Sequence, residues 1–396
     1  MKLLLVLLLF ALPAWAQGQA EPTTPDLLVV PAPLLGVRLD TVRVWALHNG
    51  AWEGIPFQFD RRTVDGDWDF ALHASPDAAH RRLTDHDELV IAVADLGEAS
   101  PPGLVPPGAP NPISVGIPGR GRAYIATHPA PPPLTSRRWV TYDRARDEVA
   151  GAGFLLGFDS QRPFVFDKLV WTADPNHRDC LDTGKIRATG RLLGTLLFAR
   201  TQDDFTSRIV GVIDGPVRTI VRTENRVRMV LGIESPRSII DRIHTPNHFV
   251  MKILVHVPFN VGWLFHDLVV RASLDFRPGT VRTMTCPGSP MAVVDGHSTP
   301  GEEALTGSPM HDFTIDGDYG TVRGSLTLEP EFDVKPMFYY QDDVLTPDPP
   351  ETSPGHYGDT GVAVTGWEAL GRGDYRMSLS LSFAPTGAPT PATARR

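Results

Sequence analysis

The chain has 396 residues and a formal net charge of −9, with 38 prolines, 36 glycines and two cysteines. This length is sufficient for two domains with substantial hydrophobic cores. The acidic balance argues against nucleic acid as a partner, because phosphate binding needs a positive surface. Two cysteines are too few for the usual zinc-ribbon and iron–sulfur ligand sets.

Residues 1–16 have the pattern of a secretory signal peptide. Lys2 precedes the apolar run LLLVLLLFAL, and Ala14 and Ala16 form a small-x-small cleavage site. This run is shorter than the roughly 18 residues that a transmembrane helix needs, and no later segment approaches that length. We therefore expect a mature chain that begins near Gln17, has no membrane span and resides in the periplasm or outside the cell.

Short β-branched runs between turn residues predict strands in the first third of the chain. They lie at 27–30, 42–47, 55–60, 88–95, 113–117, 122–128 and 137–143. Proline-rich connectors at 101–112 and 128–134 cannot enter the interior of a sheet. We expect residues 17–130 to form a small immunoglobulin-like β-sandwich that ends at the second connector.

Longer alternating runs in the remainder predict wide antiparallel sheets with one buried face. These runs lie at 164–171, 194–200, 208–214, 217–233, 248–257, 267–276, 320–329 and 375–383. No helix of ordinary length is predicted, so the fold class is all-β. We expect residues 131–384 to form a larger antiparallel β-supersandwich-like domain, and residues 385–396, rich in Pro, Thr and Ala, to be a disordered tail.

Carboxylates are concentrated between the strand-like runs IPFQFD and ELVIAVAD. The candidate ligands are Asp60, Asp65, Asp67, Asp69, Asp85, Asp87 and Glu88. Oxygen ligands on tight turns suit Ca²⁺, so one interpretation is a structural Ca²⁺ site. An EF-hand that started at Asp65 is absent, because its sixth and twelfth positions hold Phe70 and Pro76. The alternative is a solvated loop neutralised by Arg61, Arg62, Arg81 and Arg82, which needs no metal.

The cysteines, Cys180 and Cys286, both lie in turn-rich segments. An exported protein meets oxidising conditions, so we expect a disulfide between them. Two free buried thiols are the alternative.

Two segments of the larger domain place basic side chains on one face of a strand. Arg218 and Arg222 share a parity in 217–228, as do His248, Lys252 and His256 in 248–256. Neighbouring strands would create a basic surface for an anionic sugar, with Arg218, Arg222 and Lys252 as ligand-binding residues. A histidine beside an arginine could then abstract a proton in β-elimination. Solvated outer faces have the same pattern and are the alternative.

The segment FYYQDDVLTPDPPETSPGHYGDTG (338–361) is predicted to be a long loop that mixes aromatic and acidic residues. Long ordered loops often carry function. Tyr340 and Tyr357 are candidates for ligand binding, and Tyr339 is a candidate catalytic residue together with His248, His256 and Arg222.

Two segments resemble known families. DGPVRTIVRTENRV (214–227) resembles the central strand of β-supersandwich domains in rhamnogalacturonan-lyase-like and related secreted carbohydrate-active proteins. IPFQFDRR with DHDELVIAVADLG resembles the N-terminal sandwich of exported bacterial proteins in which an acidic loop precedes a DELV strand. These resemblances imply a supersandwich fold and assign no catalytic residue.

Three functions are compatible with these features. The first is a secreted, non-catalytic binding or assembly protein, with a structural Ca²⁺ site and glycan binding, because no GxSxG, HExxH, P-loop or dinucleotide motif occurs. The second is a carbohydrate-active enzyme, a polysaccharide lyase that acts on a uronic-acid-containing glycan. The third is a structural partner of an envelope or surface complex, which predicts an exposed apolar patch. The expected partner is a glycan or another envelope protein.

Overall fold

The computed structural model describes residues 24–229, 234–309, 312–351 and 355–386. It is all-β, as predicted, and it divides into two compact units, the first ending at Thr135 and the second beginning at Ser136. The expected signal peptide lies outside the described residues, as do residues 387–396 of the expected tail. In the part of the chain that is described, no helix is long and apolar enough to cross a membrane.

The first unit consists of seven described strands. They are β1 (Leu27–Pro31), β2 (Val42–His48), β3 (Ala51–Gly54), β4 (Gln58–Arg61), β5 (Asp87–Ala92), β6 (Ile113–Ile117) and β7 (Gly121–Thr127). They form two antiparallel sheets, of order β1-β5-β4 and β3-β2-β7-β6. Alternate residues of β2, such as Val42 and Val44, pack with Leu89 and Ile91 of β5 in one hydrophobic cluster. Two sheets around a shared core are the sandwich that the alternation predicted.

The second unit begins with short strands and continues with long ones. The strands are β8 (Thr141–Asp143), β9 (Glu148–Ala150), β10 (Phe154–Phe158), β11 (Phe166–Trp171), β12 (Leu181–Leu192), β13 (Leu196–Thr201), β14 (Phe205–Asp214), β15 (Thr219–Val227), β16 (Ser238–His244), β17 (His248–Val257), β18 (Phe265–Phe276), β19 (Val281–Thr285), β20 (Ala292–Val293), β21 (Phe313–Gly317), β22 (Gly320–Leu328), β23 (Lys335–Gln341), β24 (Asp359–Thr365) and β25 (Gly373–Pro385).

These strands form three antiparallel sheets with four, five and nine strands. Their orders are β11-β10-β9-β8, β13-β12-β18-β24-β23, and β14-β15-β16-β17-β25-β22-β21-β19-β20. Phe166, Phe249 and Phe338, one from each sheet, belong to a single buried cluster. The second unit is therefore a layered β-structure around a common core.

The described helices are short. The α-helices are α1 (Phe70–His73) and α2 (Pro300–Glu303), and the 3₁₀ turns are Leu39–Thr41, Ala78–His80, Val93–Asp95, Gln202–Asp204, Val261–Trp263 and Trp367–Ala369.

The prediction of a loop at 338–361 is wrong at both ends of this segment. Residues 335–341 form β23 and residues 359–365 form β24, and the two strands pair as an antiparallel hairpin. Phe338 and Tyr340 are buried on one side of β23 and Tyr339 on the other, so the segment has no simple alternation of polar and apolar residues. The true loop is 342–358, of which residues 352–354 are not described.

The expected disulfide is also wrong, because Cys180 and Cys286 are free thiols in the structure. Both are buried in the main hydrophobic cluster of the second unit. Burial raises the pKa of Cys180 to about 11 and also raises the pKa of Cys286. The thiolate that oxidation requires is therefore disfavoured at both positions.

Candidate functional site

One face of the five-stranded sheet carries a row of polar side chains. The register pairs Lys185 with Ser273, Ser273 with Gly361, and Gly361 with Tyr339, so these residues project from the same side. The opposite side carries residues such as Leu274, which pack in the core. We define the polar face as Lys185, Arg187, Arg271, Ser273, Asp275, Tyr339 and Asp359.

Lys185 lies at the centre of the polar face, and its side chain is fully buried. Its Nζ lies 2.7 Å from Oδ2 of Asp275 and 3.8 Å from Oδ2 of Asp359. Nζ also donates a hydrogen bond of 2.8 Å to the carbonyl oxygen of Gly355. A buried ammonium group is retained only when such partners offset its loss of hydration.

The two carboxyl groups beside Lys185 have pKa values that are displaced in opposite directions. Burial, reinforced by the neighbouring Asp359, raises the pKa of Asp275 to about 7, although Lys185 opposes the rise. Burial would also raise the pKa of Asp359, but His356, Arg271 and Lys185 together lower it. For Lys185, burial would lower the pKa, and the adjacent carboxylates raise it instead. Because their charges act on one another, Lys185, Asp275 and Asp359 form one buried ionic centre.

The capping loop, residues 342–358, covers the polar face through ion pairs. Arg187 Nε lies 3.1 Å from Asp348 Oδ1, and its Nη2 lies 3.5 Å from Glu351 Oε1. Arg271 also contacts Asp348, and its Nη1 donates a hydrogen bond of 2.8 Å to the Tyr339 hydroxyl. These charged side chains bind the loop and the sheet to each other.

Both ends of the capping loop are held by buried carboxylates. At one end, Asp342 accepts backbone hydrogen bonds from Asp295, Gly296 and Gly358, at 2.8, 2.9 and 2.9 Å. At the other, Asp275 Oδ1 accepts the backbone N–H of Tyr357 at 2.8 Å. The loop is therefore anchored by directional bonds.

The outer members of this network reach solvent, whereas the inner ones do not. The side chains of Arg271, Asp348 and Glu351 are 14%, 15% and 21% exposed, while those of Lys185 and Asp359 are 0% exposed. We define the rim as Arg271, Asp348 and Glu351. Arg187 and Tyr339, each 8% exposed, are buried next to it. The buried ionic centre lies beneath the rim.

The capping loop and the polar face bring together three side chains of types that bind metals. Within the described part of the chain, Asp348, His356 and Asp359 place one ligand atom each within 4.8 Å of one another. The same carboxylates already contact Lys185 and Arg271, and His356 Nδ1 lies 2.9 Å from Asp359 Oδ2. These cations and the histidine occupy the sites at which a metal would bind, so the group does not fit a metal centre.

The predicted calcium ligands of the first unit lie in several environments. The Asp87 carboxylate is buried and lies 2.7 Å from Arg61 and 2.5 Å from Arg81. Arg62 lies 3.5 Å from Glu88 and stacks on Trp68 at 3.1 Å. These contacts match the arginine-neutralised alternative for Asp87 and Glu88.

The remaining predicted ligands have various contacts, and one of them, Asp60, pairs in register with Glu88 across β4 and β5. Asp60 accepts a 2.8 Å bond from Gln58, Asp67 accepts the N–H of Trp68, and Asp69 caps α1 through the N–H of Leu72. Asp65 is exposed, and Asp85 lies 3.9 Å from His86 at the surface. The calcium prediction therefore stays a prediction.

The basic strands of the second unit are separated by a third strand. Strand β16 lies between β15 and β17, and its Asp241 pairs in register with Arg222 on one side and Lys252 on the other. Arg222 binds Asp241 through two bonds of 2.7 Å. Arg218 is buried, at 2% exposure, and His248 is half-buried.

His256 is the predicted catalytic residue with an accessible side chain and a fixed partner. Its Nδ1 lies 2.6 Å from Asp374 Oδ1, and its side chain is 41% exposed. Arg222 pairs with Asp241 and Tyr339 pairs with Arg271, so the predicted catalytic residues have different partners.

The predicted ligand-binding tyrosines of the hairpin are core residues. Tyr340 and Tyr357 belong to the main hydrophobic cluster, and burial raises the pKa of Tyr340 well above its usual range. Tyr339, one residue away, lies on the polar face, because successive residues of a strand point to opposite sides.

Sequence reasoning missed most of the polar face. In β18, Arg271, Ser273 and Asp275 alternate with apolar residues, a signal that could have located it. In β12, two of the four buried positions are Lys185 and Arg187, so the strand resembled a polar loop.

Comparison with protein-family models and with curated proteins gives no match. Among solved structures, the chain is similar to a glycosyl hydrolase family 38 protein from Enterococcus faecalis, with 9% identity, a TM-score of 0.43 and 93% of this chain covered. The chain is also similar to an alpha-mannosidase from Enterococcus faecalis V583, with 9% identity, a TM-score of 0.42 and 93% of this chain covered. The chain spans 40% and 39% of the lengths of these two proteins.

A galactose mutarotase-like protein from Lactobacillus casei ATCC 334 is also similar, with 10% identity and a TM-score of 0.25. That match covers 60% of this chain and 99% of the other. At these levels of identity and overlap, the comparisons assign neither a residue role nor an activity.

Proposed function

We propose that this chain is a carbohydrate-binding protein that holds its ligand at the rim without cleaving it. The observation that carries the proposal is the set of partly exposed charged side chains over a fully buried ionic centre. Sugar hydroxyl groups both donate and accept hydrogen bonds, and carboxylates and guanidinium groups offer matching pairs. A rim held by ion pairs is preorganised, which reduces the entropy lost on binding.

Burial supports binding over catalysis at this site. A general acid or base must come within hydrogen-bonding reach of the substrate. Asp275 and Asp359, whose pKa values are displaced, are both 0% exposed, and both form ion pairs with Lys185. Their ion pairs stabilise the capping loop and leave the rim to contact the ligand.

Calorimetric titration with neutral and acidic oligosaccharides tests the proposal. We expect Glu351→Gln and Asp348→Asn to weaken binding by about tenfold each, the effect of losing roughly one hydrogen bond to a charged group. The control is Arg282→Gln on β19, which breaks an exposed ion pair between Arg282 and Asp318. Affinity that is equal in all variants, or absent from the wild-type protein, would exclude a glycan site at the rim.

A polysaccharide lyase is the second candidate, and the His256–Asp374 pair favours it. A carboxylate at Nδ1 fixes the orientation of the ring and leaves Nε2 for proton abstraction. Release of unsaturated product from uronic-acid-containing glycans, lost in His256→Ala, would support this candidate. Full activity in that variant would remove His256 from any catalytic role.

A further inference from the structure

The hairpin between β12 and β13 presents apolar side chains to solvent. Leu193, Leu196 and Leu197 are 60%, 58% and 91% exposed. Trp263, in the adjoining 3₁₀ turn, is 74% exposed, and the N–H of Leu193 donates a 2.7 Å bond to the carbonyl oxygen of Leu264. We define the leucine tip as Leu193, Leu196, Leu197 and Trp263. We propose that the leucine tip is a membrane-surface anchor that inserts into the acyl region of a lipid bilayer.

The backbone of the turn supports a role outside the folded core. The N–H of Thr195 donates to the carbonyl oxygen of Leu192, and the two central residues, Leu193 and Gly194, have φ angles of 52° and 75°. Such a turn favours Asn-Gly or Gly-Gly, because a β-carbon is strained at positive φ. Leu193 therefore adopts a strained conformation while most of its side chain remains in water. Insertion into lipid would bury that side chain.

Size favours lipid over a protein partner. A standard protein interface uses about 20–30 residues on each side, whereas the leucine tip offers four side chains at a turn. The acyl region of a bilayer imposes no complementary shape, and tryptophan prefers the level of the lipid headgroups.

The surrounding charges favour a zwitterionic surface. Residues 192–197, LLGTLL, contain no charged side chain. The nearest charge in the hairpin is Arg191, whose Nε lies 3.6 Å from Oδ2 of Asp267 on β18, and these two charges offset each other. Insertion therefore relies on apolar burial and does not need anionic lipid.

Co-sedimentation with phosphatidylcholine vesicles tests this proposal. The protein is the chain from Gln17 onward, because the apolar leader would itself bind lipid. We expect the double variant Leu196→Ser/Leu197→Ser to lower the partition coefficient by about tenfold or more for each leucine removed from the bilayer. Leu35→Ser, at a comparably exposed position in the first unit, is the matched control and should bind like the wild-type protein.

A second readout locates the contact. Quenching by brominated lipid should be greater for the wild-type protein than for Trp263→Phe, which removes one of the seven tryptophans in the chain from Gln17 onward. Circular dichroism verifies that the variants are folded. Failure of the wild-type protein to bind vesicles would overturn the proposal, as would binding that requires anionic lipid and survives the double substitution. Self-association that the double substitution abolishes, without vesicle binding, would assign the leucine tip to a protein contact. None of these outcomes bears on the glycan proposal.

Discussion

At the scale of single residues, the second unit retains buried charge where an opposite charge lies close by. The ammonium group of Lys185 contacts carboxylates and a backbone carbonyl oxygen, and the side chain is fully buried. Arg242 is equally buried and binds both oxygens of Asp147, at 3.0 and 2.7 Å. Removing one partner from such a group leaves an uncompensated charge in a medium of low polarity.

Lys185→Met should therefore lower the free energy of unfolding by about 3–5 kcal/mol, because Asp275 and Asp359 would remain buried without their cation. Urea titration followed by circular dichroism measures the loss. The control is Lys168→Met. Lys168 is 39% exposed, and its Nζ lies 2.5 Å from Oε1 of Glu148 in an ion pair that this change removes. That change should cost about 0–1 kcal/mol. Equal losses in the two variants would show that Lys185 contributes no more than a surface lysine.

His244 is a buried titratable residue that the proposed functions do not use. It lies between Phe158 and Phe249, with ring centroids 5.6 and 5.0 Å away. Among the described residues, neither ring nitrogen has a hydrogen-bond partner. Burial, with a smaller contribution from Arg242, holds the pKa of His244 well below its usual value.

This depressed pKa predicts loss of stability in acid. An unfolded histidine titrates near pH 6.5, so below that pH the unfolded state binds a proton that the folded state does not. The contribution of His244 to the free energy of unfolding is complete above about pH 6.5. It should fall by about 1.4 kcal/mol for each pH unit below that value. Asp275, whose pKa is raised to about 7, acts in the opposite direction, with its contribution lost as the pH rises toward 7.

Comparison of the wild-type protein with His244→Phe isolates the histidine from the other titrating groups. The difference in free energy of unfolding should change between pH 7.5 and pH 5, with the variant losing less stability. A constant difference over that range would mean that the folded protein protonates His244 as readily as the unfolded chain does.

At the scale of elements, local pattern predicted many of the strands that have one apolar face. Strands β6 and β17 match their predicted limits, 113–117 and 248–257. Strand β12 was missed because Lys185 and Arg187 occupy two of its four buried positions, and β24 because its inner residues are buried on both sides. The partners of the β12 charges, such as Asp275 and Asp348, lie far away in the sequence.

The acidic loop of the first unit carries a prediction at the same scale. A structural Ca²⁺ site there would raise the melting temperature as Ca²⁺ is added, because the ion binds only the folded loop. Asp67→Ala should abolish this rise, and EDTA should reverse it. Asp40→Ala, in the same unit but outside the loop, is the control. Absence of a shift would favour neutralisation by Arg61, Arg62 and Arg81 alone.

At the scale of the whole molecule, frequent turns and short alternating runs predicted an all-β chain with sandwich architecture, and the structure confirms it. The boundary between units was placed near residue 130, and the compact units divide after Thr135. The structure has Cys180 and Cys286 as free thiols, in agreement with the second alternative, and their burial in one core is a tertiary property.

The sequence by itself determined the strand content and the turn-rich organisation, because period-two alternation and the backbone limits of proline and glycine act over a few residues. Only the tertiary structure decided where the polar groups meet. Lys185, Asp275 and Asp359 belong to strands far apart in the chain, and their convergence depends on the order β12-β18-β24. Strand order is set by the packing of whole sheets around a core, and a local pattern does not contain it.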